Sequence, residues 1–322
     1  MTKPTPEAAA PQLGLATFES EVGAALELGG RALAWTEQHA RPLLASASFT
    51  TQALVLGALQ RQDTLQGRSP ARFDLPVRRR RSTGTEAQLD GAVLYHALAL
   101  PRVDSLFADA SSRTLLNRNL RAILRGYTAA GVPLRYFGTE VLALLGQPVA
   151  LVGYDQTESG AVLIEVLIGL DAPCVVRSAL AREAPAALEA VMRRSLPAHD
   201  LLRSAVHGIV ERLGATAVDA TDSLPTVPAL IGPELFSPPA SVPIPLGVVE
   251  AITQPNPRFT GDLLVSTCAL GRVEALAGAA LAAGVALSEA VLAPLAGAPL
   301  DGARPADLLQ ALREASRPTP SS

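Results

Sequence analysis

The sequence predicts an α/β (α+β) protein in two parts, a larger mixed-sheet domain followed by a small α+β domain. Three observations predict it. Short apolar β-type runs alternate with helix-periodic stretches through the first two thirds of the chain, residues 104–130 are strongly amphipathic, and seven prolines fall between Pro225 and Pro245. Proline fixes φ and removes a backbone donor, so such a cluster interrupts regular structure and marks a boundary. A length of 322 residues suits about two domains.

In chain order, residues 1–12 carry one positive charge, Lys3, with no apolar stretch behind it, and read as a disordered leader and not a secretion signal. Within 18–39, Val22, Ala25, Leu26, Ala32 and Leu33 recur at helical spacing, with Thr17 as N-cap and Glu19 and Glu21 suited to the positive helix start. Residues 43–47 and 53–57 are two strand candidates, and 73–77 is a third. The run 91–100 is apolar on both faces, which places it centrally in a sheet covered on both sides, and Pro101 closes it. In 104–130, Leu116, Leu120, Ile123, Leu124 and Tyr127 form one stripe, while Arg113, Arg118, Arg121 and Arg125 take the polar side. Gly131 and Pro133 end that helix. The runs 134–137, 141–145, 149–153 and 161–170, separated by short turns, have the pattern of an antiparallel meander. Helices return at 185–195 and 200–213. Past the prolines, 248–253 and 262–266 suggest a hairpin, and 272–283, 287–295 and 305–315 suggest helices. The division is a leader at 1–12, a mixed-sheet domain at 13–220, a proline-rich linker at 221–245, an accessory domain at 246–316 and a disordered tail at 317–322.

Composition excludes several function classes. Lys+Arg 27 against Asp+Glu 30 leaves a net charge of -3, so no basic excess drives binding to a nucleic-acid backbone. No apolar run reaches the roughly 18 residues of a bilayer span, so neither a membrane partner nor a membrane anchor is expected. Two cysteines, Cys174 and Cys268, fit reduced thiols in a cytoplasmic protein. His39, His96, His199 and His207 are isolated, without C-x-x-C or H-E-x-x-H spacing, so no metal site is expected. No G-x-S-x-G elbow, Walker loop or strand-anchored G-x-G-x-x-G occurs.

One segment carries chemistry. Arg78-Arg79-Arg80-Arg81-Ser82-Thr83-Gly84-Thr85-Glu86 lies between two expected strands, where forked guanidiniums and the N–H groups of a glycine turn suit a phosphate or carboxylate. The competing reading is a solvated arginine run on an edge strand. Asp90, just beyond, repels a carboxylate unless it pairs with one of the arginines. Glu165 interrupts an apolar strand and either alternates out to solvent, the reading favoured here, or points into a pocket. His96 reads as a satisfied core histidine, Cys174 as a buried thiol and Cys268 as core.

The segment Ala53-Leu54-Val55-Leu56-Gly57-Ala58-Leu59-Gln60, then Arg80-Arg81-Ser82-Thr83-Gly84, then the central strand and long helix, resembles the lipoate and octanoate protein ligase/transferase family. Phe137-Gly138-Thr139-Glu140-Val141-Leu142 is similar to that family's N-D-(L/I) segment, and residues 160–171 to its paired strand. The resemblance covers roughly 17–215; from 248 onward it extends more loosely to the small accessory domain of the ligases. It implies the mixed-sheet core shared with biotin ligases. It also implies a pocket for the acyl chain and adenylate phosphate lined by Arg80, Arg81, Ser82, Thr83 and Gly84, with Gln60, Thr85, Asp90 and Glu165 around it. Lipoate or octanoate and ATP would be substrates, no cofactor would be bound permanently, and a lipoyl-domain or acyl-carrier protein would be the partner.

Departures from the family pattern alter that pocket. The family has Gly-Gly where this chain has Gly84-Thr85, an arginine at Ala58 and a histidine near Asp90. Its catalytic lysine, which stabilises developing negative charge, aligns with Pro148. A proline has neither charge nor N–H, and Lys3 is the only lysine in the chain. Pro173-Cys174 is similar to the transferase branch's nucleophile motif but follows the matched strand about ten residues early. Two functions follow from the resemblance: acyl transfer to a carrier protein, or a pseudoenzyme that binds an acyl ligand or a protein partner.

Overall fold

The β-type runs assemble into one nine-stranded mixed sheet. The computed structural model describes residues 11–19, 21–68, 74–175, 183–230, 232–233 and 239–317. Its large sheet contains β1 (Gln12–Glu19), β2 (Leu43–Leu56), β3 (Val77–Arg79), β4 (Ala87–Leu100), β5 (Arg135–Tyr136), β6 (Val141–Leu144), β7 (Gln147–Gln156), β8 (Val162–Gly169) and β9 (Thr216–Asp219). The order is β5-β6-β7-β8-β4-β2-β1-β9, with β3 beside β2. Pairs from β5 through β2 are antiparallel, whereas β1 runs parallel to β2 and β9, and β3 parallel to β2.

Strand β4 is central and buried on both faces, as its two-sided apolar sequence predicts. Alternate side chains point to opposite faces of a strand. Leu94, Leu98 and Leu100 join the apolar cluster of α3 (Leu115–Ala129) and α5 (Ala198–Leu213), whereas Val93, Tyr95, Ala97 and Ala99 join that of α1 (Val22–His39). Two short helices, α2 (Gln62–Arg68) and α4 (Leu188–Met192), flank the sheet connections.

The C-terminal part contains the antiparallel strands β10 (Ala240–Ile244), β11 (Gly247–Ile252) and β12 (Arg258–Gly261). It also contains the pair β13 (Leu264–Val265) and β14 (Leu300–Asp301), with α6 (Thr267–Ala282) and α7 (Pro305–Ala315). Val249, Phe259, Leu264 and Leu308 belong to the same continuous apolar cluster as Val152 and Tyr154 of β7. Among the described residues no helix is long and apolar enough to cross a membrane.

Several expected elements differ. The helix expected over 18–39 begins at Val22, because Thr17 and Phe18 belong to β1, whose backbone is shared by two parallel neighbours. Gln12, assigned to the leader, already pairs with Thr216; residues 1–10 lie outside the described residues. The runs 43–47 and 53–57 are one strand, since the polar stretch between them keeps an unbroken register with β4 from Leu43↔Ala99 to Val55↔Ala87. The expected strand 73–77 appears as β3, with 69–73 outside the described residues. The helix expected from 104 starts at Leu115, after a 3-10 turn at Ser112–Thr114. That expected over 185–195 shortens to α4, ended by left-handed Arg193. Strand β9 was not anticipated, being four residues long with little burial alternation. Within the expected linker, Ala240–Ile244 is a strand because β10 is an edge, where Pro243 is tolerated. The expected 248–253/262–266 hairpin is replaced by β11 pairing with β10 and β12, and by β13 pairing with β14. Of the expected tail, 318–322 lie outside the described residues.

Helices α3 and α5 cross at glycines. A Cβ on Gly126 would lie 2.4 Å from both Ala205 O and Ile209 Cγ1. Gly126→Ala is therefore expected to destabilise the protein by about 1–3 kcal/mol, read as a lowered urea midpoint; an unchanged midpoint contradicts this packing.

Candidate functional site

The members of the arginine run differ in burial, because the strand ends at Arg79 and the chain then turns. Arg80 and Ser82 turn inward and are buried; Arg79 and Arg81 are half-buried and Arg78 is exposed. Arg80 Nε donates to Ser82 Oγ and its Nη2 to Thr83 O, both at 3.0 Å. Burial lowers the Arg80 pKa, and Glu165 is the foremost charge opposing that shift.

Glu165 is buried, contrary to the solvent-facing expectation: its position on β8 points it to the same face as Leu163 and Leu167, beneath α1. Its carboxylate accepts the Ser82 N–H at 2.5 Å and the Tyr95 hydroxyl. Burial, and then Glu165, push the Tyr95 phenol well above its ordinary pKa. Helix α1 reaches this carboxylate only through Gly29, where a Cβ would lie 2.2 Å from Glu165 Oε1.

Two further turn N–H groups are also engaged within the chain, whereas the buried Thr85 hydroxyl has no hydrogen-bond partner. Thr83 N donates to Tyr154 O at 3.0 Å and Gly84 N to Leu263 O at 2.7 Å. The Thr83 hydroxyl lies 2.8 Å from Tyr154 O and 2.9 Å from Val265 O, and accepts the Val265 N–H at 3.1 Å. Gly84 holds φ at +110°, a region closed to most residues. Gln60 Nε2 donates to Glu86 Oε2 at 2.8 Å and to Asp262 Oδ1 at 2.6 Å, while its Oε1 accepts the Gly57 N–H. Thr85 is buried beside them. Asp90 is exposed and accepts from Gln52, its cross-strand neighbour, not from an arginine.

Pro148 is buried early in β7, opposite a register shift between Leu142 and Ala143, where a missing N–H is tolerated. Cys174 Sγ points at Leu167 O and Val149 O, and burial raises its pKa to about 11, so it carries no thiolate at neutral pH. Cys268, expected in the core, is partly exposed because it falls in the first turn of α6 beside a surface cleft. His96 is a satisfied core histidine: its ring nitrogens contact Ser46 Oγ at 2.8 Å and Tyr127 Oη at 2.7 Å. Among the described residues no group of three or more His, Cys, Asp and Glu is placed to hold a metal ion.

The open volume lies on the outer side of the run. A cleft of about 840 Å³ separates α1 from β3, lined by Arg61, Arg78, Arg79 and Arg81 on one wall and by Gly23, Leu26, Glu27 and Gly30 on the other. Of the turn residues named from the sequence, Arg81 alone lines it. Tyr95, Gly29 and Asp262 were not anticipated as parts of this network. Gly29-Gly30 inside a helical pattern was an available signal of close approach; Asp262, 202 residues from Gln60, had none.

No family model matches the sequence, and no curated protein matches it. Solved structures do match. The crystal structure of P. falciparum LipL1 in complex with lipoate has a TM-score of 0.60 at 9% identity, covering 94% of this chain and 98% of that one. This chain has the biotin/lipoate protein ligase-like fold. A bipartite lipoate protein ligase with its E2 lipoyl domain from Thermoplasma acidophilum has a TM-score of 0.43 at 12% identity, covering 67% of this chain and 90% of that one. A Leishmania major biotin protein ligase with biotin has a TM-score of 0.38 at 11% identity, covering 77% and 95%. The fold assignment rests on the first of these, and at 9% identity it establishes architecture and not activity.

Removing one member of a buried charged network leaves the other unbalanced, at a cost of about 3–5 kcal/mol. Glu165→Gln is expected to lose about that much stability in urea unfolding, and Glu165→Leu with Arg80→Met less than the sum of the single changes; additive losses would uncouple the two residues. For His96, burial lowers the pKa from 6.5 to about 4. The unfolded chain therefore binds the proton first, and His96's contribution is complete above pH 6.5 and lost as pH falls towards 4. The stability difference between wild type and His96→Gln is expected to shrink by up to about 3 kcal/mol between pH 7 and 4. A constant difference rules that out.

Proposed function

We propose that the protein is a ligase-fold binding scaffold that does not carry out lysine-dependent acyl transfer. The observation that supports this reading is the engagement of three successive turn donors, the N–H groups of Ser82, Thr83 and Gly84, by oxygens of the chain itself. In a site that activates an acyl group, such donors face the phosphate or the carboxyl oxygen on which charge develops. Here Glu165 supplies the carboxylate. The rest of the machinery is absent to match: Pro148 stands at the position where the family resemblance places the lysine, and Cys174 keeps its proton.

A second reading is favoured by the extent of the structural likeness, 94% of this chain against a protein solved with lipoate. It is transfer of a lipoyl or octanoyl group to a lipoyl-domain or acyl-carrier protein, with lipoate or octanoate and ATP as substrates. Arg81, which lines the cleft, would then be the turn arginine that meets the anion.

Intact-mass measurement separates the two. The purified protein is mixed with a lipoyl domain and either octanoyl-carrier protein or lipoate plus ATP, beside a lysine-bearing ligase as control. The expected result is no mass gain on the lipoyl domain while the control adds its acyl group. A gain would overturn the scaffold reading and direct attention to Arg81.

A further inference from the structure

We propose that a cavity in the C-terminal part of the chain binds a small alkylamine, its ammonium held by Glu274 and its aliphatic body by the surrounding apolar walls. The site is separate from the arginine turn and from the cleft beside β3, so the inference goes beyond the scaffold reading and stands whether or not acyl transfer occurs. The cavity, about 450 Å³, lies within the roughly 300–1,000 Å³ of small-molecule sites.

Its walls come from β12, the loop before it, the start of α6 and the segment that follows β2. Leu59, Ile252, Pro255, Phe259 and Leu270 make them largely apolar. On the α6 side the space is kept by Gly271, where a Cβ would meet nothing within 4 Å. Among the described residues only two charged side chains line the cavity, Arg258 and Glu274.

Those two are unequally placed. The Glu274 side chain is 10% exposed, whereas that of Arg258 is 64% exposed. Glu274 Oε1 accepts the Phe259 N–H at 2.7 Å, and its Oε2 accepts from Arg258 Nη1 at 3.2 Å. The N–H fixes the carboxylate without bringing a countercharge. Burial raises the Glu274 pKa, and the Phe259 N–H and Arg258 offset that only in part. An ion pair with one partner in water is worth little, so this countercharge is exchangeable. An ammonium on an apolar stem would lay its body along the walls, donate to Oε2 from within the cavity and release Arg258 to solvent. An alkyl carboxylate has no comparable seat, because the one guanidinium lies mostly in water and the buried charge is negative.

The test is calorimetric titration of the full chain with hexylamine at pH 7, with methylamine as head alone, hexanol as body alone and hexanoate as the opposite charge. Hexylamine is expected to bind about tenfold more tightly than any of the three. Glu274→Gln keeps an oxygen for the Phe259 N–H and loses the charge, and is expected to weaken hexylamine about tenfold. Arg258→Ala removes the internal competitor and is expected to tighten binding, the reverse of what loss of a supporting residue gives. Gly271→Leu sets a side chain into the cavity at an exposed helical position that favours leucine over glycine, and is expected to abolish binding. Hexylamine that does not bind, hexanoate or hexanol that binds as tightly, or an Arg258→Ala protein that binds no tighter than wild type overturns the proposal. So does undiminished binding by both Glu274→Gln and Gly271→Leu.

Discussion

The carboxylate of Glu165, enclosed against the Arg80 turn, is the constraint on which the surrounding architecture depends. A buried carboxylate and a buried guanidinium are each costly unless polar partners replace the water they lose. Those partners come from two elements: the turn supplies the Ser82 N–H to Glu165 and the Ser82 hydroxyl and Thr83 carbonyl to Arg80, and β4 supplies the Tyr95 hydroxyl to Glu165. The β4–β8 register sets Ala97 opposite Glu165 and so brings Tyr95 within reach. Two further elements approach only because they lack side chains. Gly29 admits the carboxylate under α1, and Gly153 admits the turn over β7, where a Cβ would lie 2.2 Å from Ser82 Oγ. A larger residue at either glycine would separate the layers that keep the charges dry.

The same turn joins the C-terminal part of the chain to the large sheet. Thr83 is bonded both to Tyr154 on β7 and to Val265 on β13, Gly84 to Leu263, and Gln60 to Asp262. Tyr154 reaches further, its hydroxyl bonding Pro299 O at 2.5 Å. A phosphate or acyl carboxyl entering the turn would have to displace contacts that hold two parts of the molecule together. Anion recognition and mechanical attachment compete here for the same N–H groups.

Much of this was legible in the sequence, and the illegible remainder has physical causes. The two-sided apolar run 91–100 fixed β4 as central, and the stripe from Leu116 to Tyr127 fixed α3, because burial on both faces or on one face leaves its period in the chain. Strand β1 was misread because its register is set by partners 29 or more residues away, and a segment whose one β-branched residue is Thr17 carries almost no strand signal. The arginine run was singled out for its chemistry. Which of its members faced inward was not readable, because four identical residues give periodicity nothing to distinguish. Glu165 was weighed as a solvent-facing residue on alternation alone; that face is buried because α1 covers it, a fact of tertiary packing.

The composition bears on the interior as well as the surface. With Lys3 as the only lysine, every other cation is an arginine, and coding bias alone would account for that at exposed positions. At Arg80 the choice has structural consequences. Its Nε and Nη2 donate in two directions, to Ser82 and Thr83, which the single ammonium of a lysine does not reproduce in a fixed plane. A lysine enclosed to the same degree would also tend to release its proton and leave Glu165 unopposed, whereas a guanidinium keeps its charge. Arg80 therefore stays cationic and requires a carboxylate nearby, and Glu165 provides it. The residue that made the turn resemble an anion site is itself set against an internal anion, Glu165.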